Sequence, residues 1–287
     1  MFSIVENDYI ADGTRFSLEI FSTSVDEPSS EKKYKKDLEK SRKRLSDLQK
    51  TLYADNTYSV LLIFQAMDAA GKDSTIKHVL RGVNPAGCQV FSFKRPSKEE
   101  LDHDFLWRSA KSLPERGRIG VFNRSYYEEV LTVKVHPEFL SHQHLPKQHF
   151  NQEFWQARYE SIADHEKHLV RNGTVVLKFF LNVSREEQHR RFLSRLENAD
   201  KNWKFSAQDL DESELWGKYM AAYETAIQKT STRHAPWFCI PADNKPAMRA
   251  IVAKTICEQL ASLPISYPSL SEKQTAELAQ YKKRLIV

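Results

Sequence analysis

The chain has 287 residues, 40% of them hydrophobic and 28% charged, with a formal net charge of +5. That suits one large α/β domain or two small ones and is ordinary for a soluble globular protein, which sets aside disordered and collagen-like classes. No apolar run approaches the ~20 residues of a membrane span, and Met1-Phe2-Ser3-Ile4-Val5-Glu6-Asn7-Asp8 lacks the basic region and apolar core of a signal peptide, so a cytoplasmic protein with no membrane partner is expected.

Cys88, Cys239 and Cys257 are far apart, with no C-x-x-C and no zinc spacing; reduced, buried thiols are expected. The mild positive charge would suit nucleic acid, an acidic membrane surface or an anionic substrate, and equally a plain solvated surface.

Residues 1–30 are mixed and polar, with a Ser/Asp/Glu/Pro cluster over Ser22–Ser30, and read as an extended or loosely packed N-terminal arm. Over residues 31–53, Tyr34, Leu38, Leu45, Leu48 and Leu52 recur at steps of three and four, which predicts a helix. Its other face is a charge run from Lys32 to Arg44, either a solvated face or a bank for a polyanion.

Tyr58–Phe64 is a β-rich apolar run, and Thr75–Leu80 has a helical spacing of apolar residues. Between them lies Gln65-Ala66-Met67-Asp68-Ala69-Ala70-Gly71-Lys72-Asp73-Ser74. Strand, tight loop and helix form the setting of a phosphate-binding loop. The helix start points free N–H groups and partial positive charge at phosphate oxygens, and a lysine reaches over them. The match to G-x-x-x-x-G-K-[ST] is partial: Ala66 replaces the first glycine and Asp73 the hydroxyl, with Ser74 one place on. Asp68 would be repelled by phosphates unless a cation lay between. It is therefore read as a Mg²⁺-organising carboxylate. The plain alternative is a strand–turn–helix with a capping aspartate.

Gly82–Gly87 is turn chemistry, and Cys88–Phe93 reads as a second strand ending at Lys94-Arg95-Pro96. Two cations thus stand at the C-terminal end of a strand, the edge of an open α/β sheet where ligands bind. Ser97–Glu100 is a capping box opening a helix through Leu101, Phe105, Leu106 and Trp107 to about Leu113. Arg118–Phe122 is a short strand followed by Asn123-Arg124-Ser125-Tyr126-Tyr127-Glu128-Glu129. This position resembles the second motif of P-loop proteins, with Asn123 in place of an acid. Arg124 follows directly, and Glu128 is one helical turn on, in reach of the same metal site. The alternative is a strand with a polar helix cap.

His136–His149 reads as a solvated loop, although His142, His144 and His149 invite a metal reading. Gln152–Asn172 is a helix, and Thr174–Leu181 is the strongest strand, expected at the sheet centre. Ser184–Glu187 caps a helix carrying Arg185, Arg190, Arg191 and Arg195, the last two on one face. A polar loop with one aromatic between lysines, Asn198–Ser206, leads to a second helix from about Ser213 to Lys229. Two helices joined by a basic loop read as a phosphotransferase lid, or otherwise as a plain hairpin. Ala235–Pro241 is the last strand, followed by a helix to about Leu263. Ser269–Val287 reads as a final helix carrying Leu278, Tyr281 and Leu285. The alternation predicts an α/β fold, one parallel sheet with helices on both faces. Its parts are an arm (1–30), a P-loop domain (31–265) with a lid at about 184–230, and a C-terminal helical tail (266–287).

As a set, Gln65–Lys72, Val83–Gly87, Leu101–Arg108, Gly117–Ser125 and Ala235-Pro236-Trp237 resemble the polyphosphate kinase 2 family over about residues 30–265. That family resembles thymidylate kinase in fold and moves phosphoryl groups between inorganic polyphosphate and nucleotides with Mg²⁺ (Mn²⁺ being the alternative). The resemblance implies that Asp68 holds the metal and orients the acceptor phosphate, while Lys72 binds the phosphoryl group in flight. Asn123 and Arg124 would form the second motif, with Glu128 completing the metal site. Catalysis would thus rest on Asp68, Lys72, Arg124 and Glu128, and nucleotide binding on Asp68, Asn123, Arg124 and Glu128. Polyphosphate would be held by Ala69, Ala70, Gly71, Lys72, Asp73, Ser74, Lys77 and Arg81, and by Arg190, Arg191 and Arg195 of the lid. Asn123 departs from the family's commoner aspartate, and with Tyr126-Tyr127-Glu128 it looks like the subgroup that phosphorylates both AMP and ADP, reversibly at the diphosphate step.

The implied partners are polyphosphate and AMP, ADP and ATP, with guanine nucleotides as the other candidates, in a homo-oligomer (dimer or tetramer). An ATP-dependent nucleotide or small-molecule kinase on the same fold is the alternative, although Ala66 and Asp73 remove two features of the usual ATP cradle. A nucleic-acid binder is disfavoured because no recognised module is present.

Overall fold

The frame is a computed structural model describing residues 3–25, 29–146 and 149–286. In chain order its elements are α1 (Glu31–Asp55), β1 (Ser59–Gln65), α2 (Lys72–Val79), β2 (Cys88–Ser92), α3 (Lys98–Leu101), α4 (Trp107–Ala110), β3 (Ile119–Asn123), α5 (Thr132–Val135), α6 (Gln152–Arg171), β4 (Thr174–Asn182), α7 (Arg185–Leu196), α8 (Ala207–Glu214), α9 (Trp216–Thr230), β5 (Trp237–Pro241), α10 (Lys245–Ala261) and α11 (Glu272–Leu285). The strands pair in parallel in the order β2-β3-β1-β4-β5. Every residue of β1, β3, β4 and β5 is buried, as a sheet covered on both faces requires. One layer packs α1 and α2 on α10; α6 and α9 pack together with α6 on β4. The parallel α/β sheet expected from the alternation is present. Its centre is β1, with β4 one place away, because β4 must also pair with β5.

The apolar stripe of α1 buries Leu38, Leu45 and Leu52, each worth about 1.5–3 kcal/mol. Ser30 caps its start, and Asn56 ends it in the left-handed conformation (φ 57°). Two helices differ from the expectation. The capping box at Ser97 is formed, but its helix stops at Leu101 and restarts at Trp107. Between them the Asp104 carboxylate accepts from the Leu106 N–H, a local bond that competes with helix continuation. The second helix of the 184–230 region begins earlier, at Ala207, and breaks at Leu215, beside the poor helix former Gly217.

The N-terminal segment is extended but not loose. Ala11 donates to the Trp237 carbonyl at 2.9 Å and Cys239 to that of Tyr9 at 2.7 Å, an antiparallel bridge along the free edge of β5. Further on, the Phe21 and Thr23 carbonyls accept from Asn182 Nδ2 and the Asp243 N–H, both at 2.9 Å. Of the cluster at Ser22–Ser30, residues 26–28 lie outside the described residues, as does Val287 of the tail helix.

One buried polar group stands in the sheet itself. Lys178 of β4 is fully enclosed and donates to Glu166 of α6 (2.5 Å), the Tyr127 hydroxyl (3.0 Å) and the Thr230 carbonyl (2.8 Å). Tyr126 and Tyr127 both donate to Glu166 Oε1, at 2.9 and 2.8 Å. Burial draws Lys178 down and Glu166 up from their usual ranges, and their mutual contact opposes both shifts. The network fixes the tyrosine run that follows β3.

Removing one partner of such a pair leaves a lone buried charge. Lys178→Met is expected to cost about 3–5 kcal/mol in denaturant unfolding. Adding Glu166→Gln, which keeps an acceptor for the tyrosines, is expected to restore at least half of that loss. A Lys178→Met protein as stable as the parent would contradict the pairing.

Candidate active site

Because the five strands are parallel, the loops that leave them meet at one edge. β1 contributes residues 66–71, which turn into α2. The turn needs two left-handed residues, Ala69 (φ 60°) and Gly71 (φ 108°). At Gly71 an added Cβ would also stand 3.3 Å from Ser74 Oγ and 3.4 Å from Met248 Cε, so glycine suits both the backbone and the space.

Lys72 opens α2 and is almost wholly buried. Its Nζ donates to the carbonyls of Ala66 (2.6 Å) and Met67 (3.2 Å), folding the side chain back onto its own loop. Burial lowers its pKa, with Arg124 adding to the effect. Asp68 sits across the loop and accepts from Arg124 Nη2 at 2.6 Å. Burial would raise the Asp68 carboxyl, but Lys72 and Arg124 outweigh it and hold it below the usual range.

Arg124 follows β3 in the left-handed region (φ 63°), an uncommon conformation for a residue with a side chain, and its N–H donates to the Phe64 carbonyl. Glu128 is the main cause of its raised pKa. Both Glu128 oxygens are already bonded, Oε1 by Gln65 Nε2 (2.9 Å) and Oε2 by the Thr132 hydroxyl (2.7 Å). Asn123 Nδ2 donates to Asp73 at 2.5 Å.

Asp68, Lys72, Asp73, Asn123 and Arg124 border a cleft of about 690 Å³ fed by all five strand ends. Ten lysine and arginine side chains line it against two aspartates, Asp68 and Asp73. The cations come from every direction: Lys94 and Arg95 after β2, Arg190 and Arg195 on α7, Lys201 in the following loop, and Lys245 and Arg249 on α10. Such an excess is costly unless an anion fills it. The two aspartates and the Ser74 hydroxyl are hard oxygen donors. Among the described residues no cluster of three or more His, Cys, Asp or Glu is preformed for a metal. A magnesium-like ion takes one or two carboxylates and fills its shell with water and phosphate oxygens.

Of the residues singled out from sequence, Asp68, Ala69, Gly71, Lys72, Asp73, Ser74, Asn123, Arg124, Arg190, Arg191 and Arg195 line this cleft. Glu128 and Ala70 do not: Glu128 lies behind Arg124, bonded as above, and Ala70 is fully buried with its N–H donating to the Met67 carbonyl at 3.3 Å. Lys77 and Arg81 also stand apart. The buried face of α2 is Lys72, Thr75, Ile76 and Val79, which turns Lys77 and Arg81 to a second groove of about 570 Å³.

Arg191 differs most from its expected place. It is 6% exposed, and every N–H of its guanidinium is engaged. Nε donates to Glu187 (2.6 Å), Nη1 to the carbonyls of Ala69 (3.1 Å) and Ala70 (2.6 Å), and Nη2 to those of Ala242 (2.6 Å) and Asp243 (3.2 Å). It ties the loop after β1 to the loop after β5. Gln188 Nε2 adds a bond to the Asp68 carbonyl at 2.9 Å. Ser92, Ser194, Lys201, Lys245 and Arg249 were not singled out from sequence. For the last two a signal existed: Asn244 caps a helix directly after a strand, with cations at its first and fifth positions.

The comparisons with known proteins bear on this cleft. The family model described as Polyphosphate kinase 2 (PPK2) matches residues 28–265. The chain is 51% identical over 279 residues to an ADP-polyphosphate phosphotransferase of Rhodopseudomonas palustris, covering 96% of both chains. It is 43% identical over 238 residues to an AMP/ADP-polyphosphate phosphotransferase of Meiothermus ruber, covering 82% of this chain and 85% of the other. It is similar to the crystal structure of polyphosphate kinase 2 from Arthrobacter aurescens, with a TM-score of 0.88 at 35% identity, covering 98% and 99% of the two chains.

The tie through Arg191 has a measurable consequence. Arg191→Lys cannot reach both loops and is expected to lower stability by about 2–4 kcal/mol, since bonds to charged groups are worth ~1.5–3 kcal/mol each. Arg190→Ala, on the exposed side of the same helix, is expected to cost under about 1 kcal/mol. Equal losses in calorimetry would show that Arg191 is not the tie.

Proposed function

The chain belongs to the polyphosphate kinase 2 family, and on that premise we propose that it transfers the terminal phosphoryl group of inorganic polyphosphate to AMP and ADP, giving ADP and ATP. The observation that carries this reading is the cleft at the phosphate loop, with its ten cations against two carboxylates. A polyphosphate chain carries charge along its length and no base to recognise, so a long basic cleft suits it as a donor. The relatives named above differ on the acceptor, one acting on ADP and one on AMP and ADP. The AMP step is therefore the part of the reading most in need of its own assay.

In this reading the acceptor's terminal phosphate lies between Asp68 and Arg124. Asp68 and Asp73 would hold Mg²⁺, or Mn²⁺ in its place, which would supply positive charge against the phosphates. Asn123 keeps Asp73 in position, Asp68 orients Arg124, and Glu128 adds negative charge behind it. Lys72 leaves the carbonyls of Ala66 and Met67 to take the phosphoryl group in flight. The loop N–H groups of Ala69 and Gly71–Ser74 and the side chains of Arg190 and Arg195 hold the donor chain. α7, α8 and α9 act as the lid over it. The protein supplies positioning and charge, and no covalent enzyme intermediate is required. Adenine nucleotides are the favoured acceptors, with guanine nucleotides the alternative. A cytoplasmic setting goes with three unpaired cysteines among the described residues, and no described helix is long and apolar enough to cross a membrane. A homo-oligomer, dimer or tetramer, is supported by the exposed Leu278, Tyr281 and Leu285 of α11.

The test is to incubate the protein with polyphosphate, Mg²⁺ and either AMP or ADP, without ATP, and to separate the nucleotides. ADP and ATP are expected from AMP, and ATP from ADP. ATP from ADP alone would remove the AMP step. No product with polyphosphate, but product from ATP and a nucleoside monophosphate, would overturn the donor. Asp68→Asn is expected to abolish turnover with unfolding behaviour unchanged, and Lys72→Ala to lower the rate on the order of 10³-fold. A loss below tenfold in either variant would remove its assigned role.

A further inference from the structure

Helix α8 has almost no apolar seat. Among the described residues Ser213 is its one buried residue, and its Leu210 is exposed. A helix that buries no apolar face is held by polar ties. Asp209, Glu212 and Ser213 supply them. Asp209 accepts from Arg195 Nη1 at 3.1 Å, and Arg195 lines the cleft. The Ser213 hydroxyl donates to Gln188 Oε1 at 2.7 Å, and Gln188 Nε2 donates to the Asp68 carbonyl at 2.9 Å. Both of these ties run to α7. The tie at Glu212 leaves the lid: its Oε2 stands 3.0 Å from Nε2 of His136.

His136 lies between α5 and the turn Pro137–His142. Its backbone is fixed from both sides. Its N–H donates to the Thr132 carbonyl (2.9 Å), its carbonyl accepts from the Phe139 N–H (3.0 Å), and Pro137 restricts its conformation. The ring stacks on Phe139, with centroids 5.3 Å apart. Its Nδ1 lies 3.1 Å from Glu138 Oε1, as its Nε2 faces Glu212. Carboxylates only accept, so a ring bonded to two of them carries hydrogen on both nitrogens and is an imidazolium. Burial disfavours that charge, but Glu212 and Glu138 outweigh it and raise the His136 pKa. The remaining charged and titratable groups around the ring have other partners. Tyr219 of α9 donates to the same Glu212 oxygen at 2.6 Å, and Lys218 acts on Glu138. Lys134 of α5 donates to the Tyr159 hydroxyl, and Glu128 is bonded to Gln65 and Thr132.

We propose that His136 is the latch that docks α8 on the body of the protein, and is thereby a positioning residue for Arg195 and for the loop at Asp68. The inference rests on the reading of α7, α8 and α9 as a lid. With the ring charged, Glu212 has two donors. With the ring neutral, one ring nitrogen turns a lone pair toward a carboxylate and the bond is lost. The latch is therefore complete below the ordinary imidazole range and is lost as pH rises through the raised His136 pKa. An undocked α8 takes Asp209 from Arg195 and Ser213 from Gln188, so a cleft cation and the Asp68 carbonyl lose their supports together.

The first measurement needs no substrate. Hydrogen exchange over Ala207–Glu214 is followed in the full chain at about pH 6 and about pH 9, corrected for intrinsic exchange, with α10 as the internal reference. In the parent, protection of α8 is expected to fall about tenfold across that interval, the worth of one hydrogen bond to a charged group. His136→Gln is expected to show the low protection at both values, with α10 unchanged. Glu212→Gln, which removes one of the two charges that favour the imidazolium, should move the fall to lower pH. The second measurement is kcat/KM with polyphosphate and ADP over the same interval. The parent is expected to exceed His136→Gln about tenfold at the acid end and to converge with it at the basic end. Substrate phosphates titrate equally in both proteins, so the ratio reports the latch. Equal α8 protection in the two proteins at about pH 6, or a pH dependence that survives the substitution, would overturn the latch. A ratio of kcat/KM that stays constant with pH would overturn the positioning role. If α8 responds as expected but the parent makes no ATP from polyphosphate, the donor reading fails and the latch stands.

Discussion

The Arg191 guanidinium is the interaction from which the rest of the site is measured. A loop that presents N–H groups to an anion leaves its carbonyls facing the other way, and those carbonyls need donors. Ala69 and Ala70 find them in Arg191, which is itself locked by Glu187 and by the carbonyls of Ala242 and Asp243. One planar cation therefore satisfies the back of the phosphate loop and fixes its distance from α10. The side chains on the front, Asp68, Lys72 and Arg124, inherit their geometry from it. A lysine could supply the charge but not the fork.

The same economy governs charge elsewhere in the molecule. The Lys178 ammonium, buried in the sheet, is fully satisfied by Glu166, Tyr127 and Thr230. In the cleft the balance is deliberately unequal. Asp68 neutralises Arg124 and Asn123 occupies Asp73, while Lys245 and Arg249 remain without acceptors among the described residues. Satisfied cations build the scaffold, and unsatisfied ones leave work for a ligand. Which class a given arginine belongs to depends on what lies across from it, and not on its neighbours in the chain.

That distinction explains how much was legible in the sequence. The phosphate loop could be read because its parts are local: Asp68, Gly71 and Lys72 fall within five residues between a strand and a helix. The parallel sheet could be read from the alternation of periods. Its strand order could not, so β4 looked central. Arg191 and Arg195 share a helix face by spacing, yet Arg191 points to backbone carbonyls and Arg195 to Asp209 and the cleft. Spacing gives a face but not what the face meets. Lys77 and Arg81 follow the lysine of the loop closely in sequence, but the turn of α2 carries them to another groove. Lys245 and Arg249 join the cleft from more than 170 residues away, through a sheet order that no local pattern encodes.

The Arg191 tie also orders events in time. The residues of the phosphate loop are all present once the chain has reached Ser74, but the bonds that hold it come from partners 121 and 122 residues later, and the far side of the tie comes later still, at Ala242 and Asp243. Asp243 is itself held by the Thr23 carbonyl, so the earliest segment to emerge waits for one of the last. Closing loops of that length is slow and is rewarded only when both ends are present. A nascent or truncated chain lacking β5 would therefore carry the complete motif without a binding loop, and with exposed sheet edge in its place. The shape of this loop thus depends on partners from nearly the whole length of the chain.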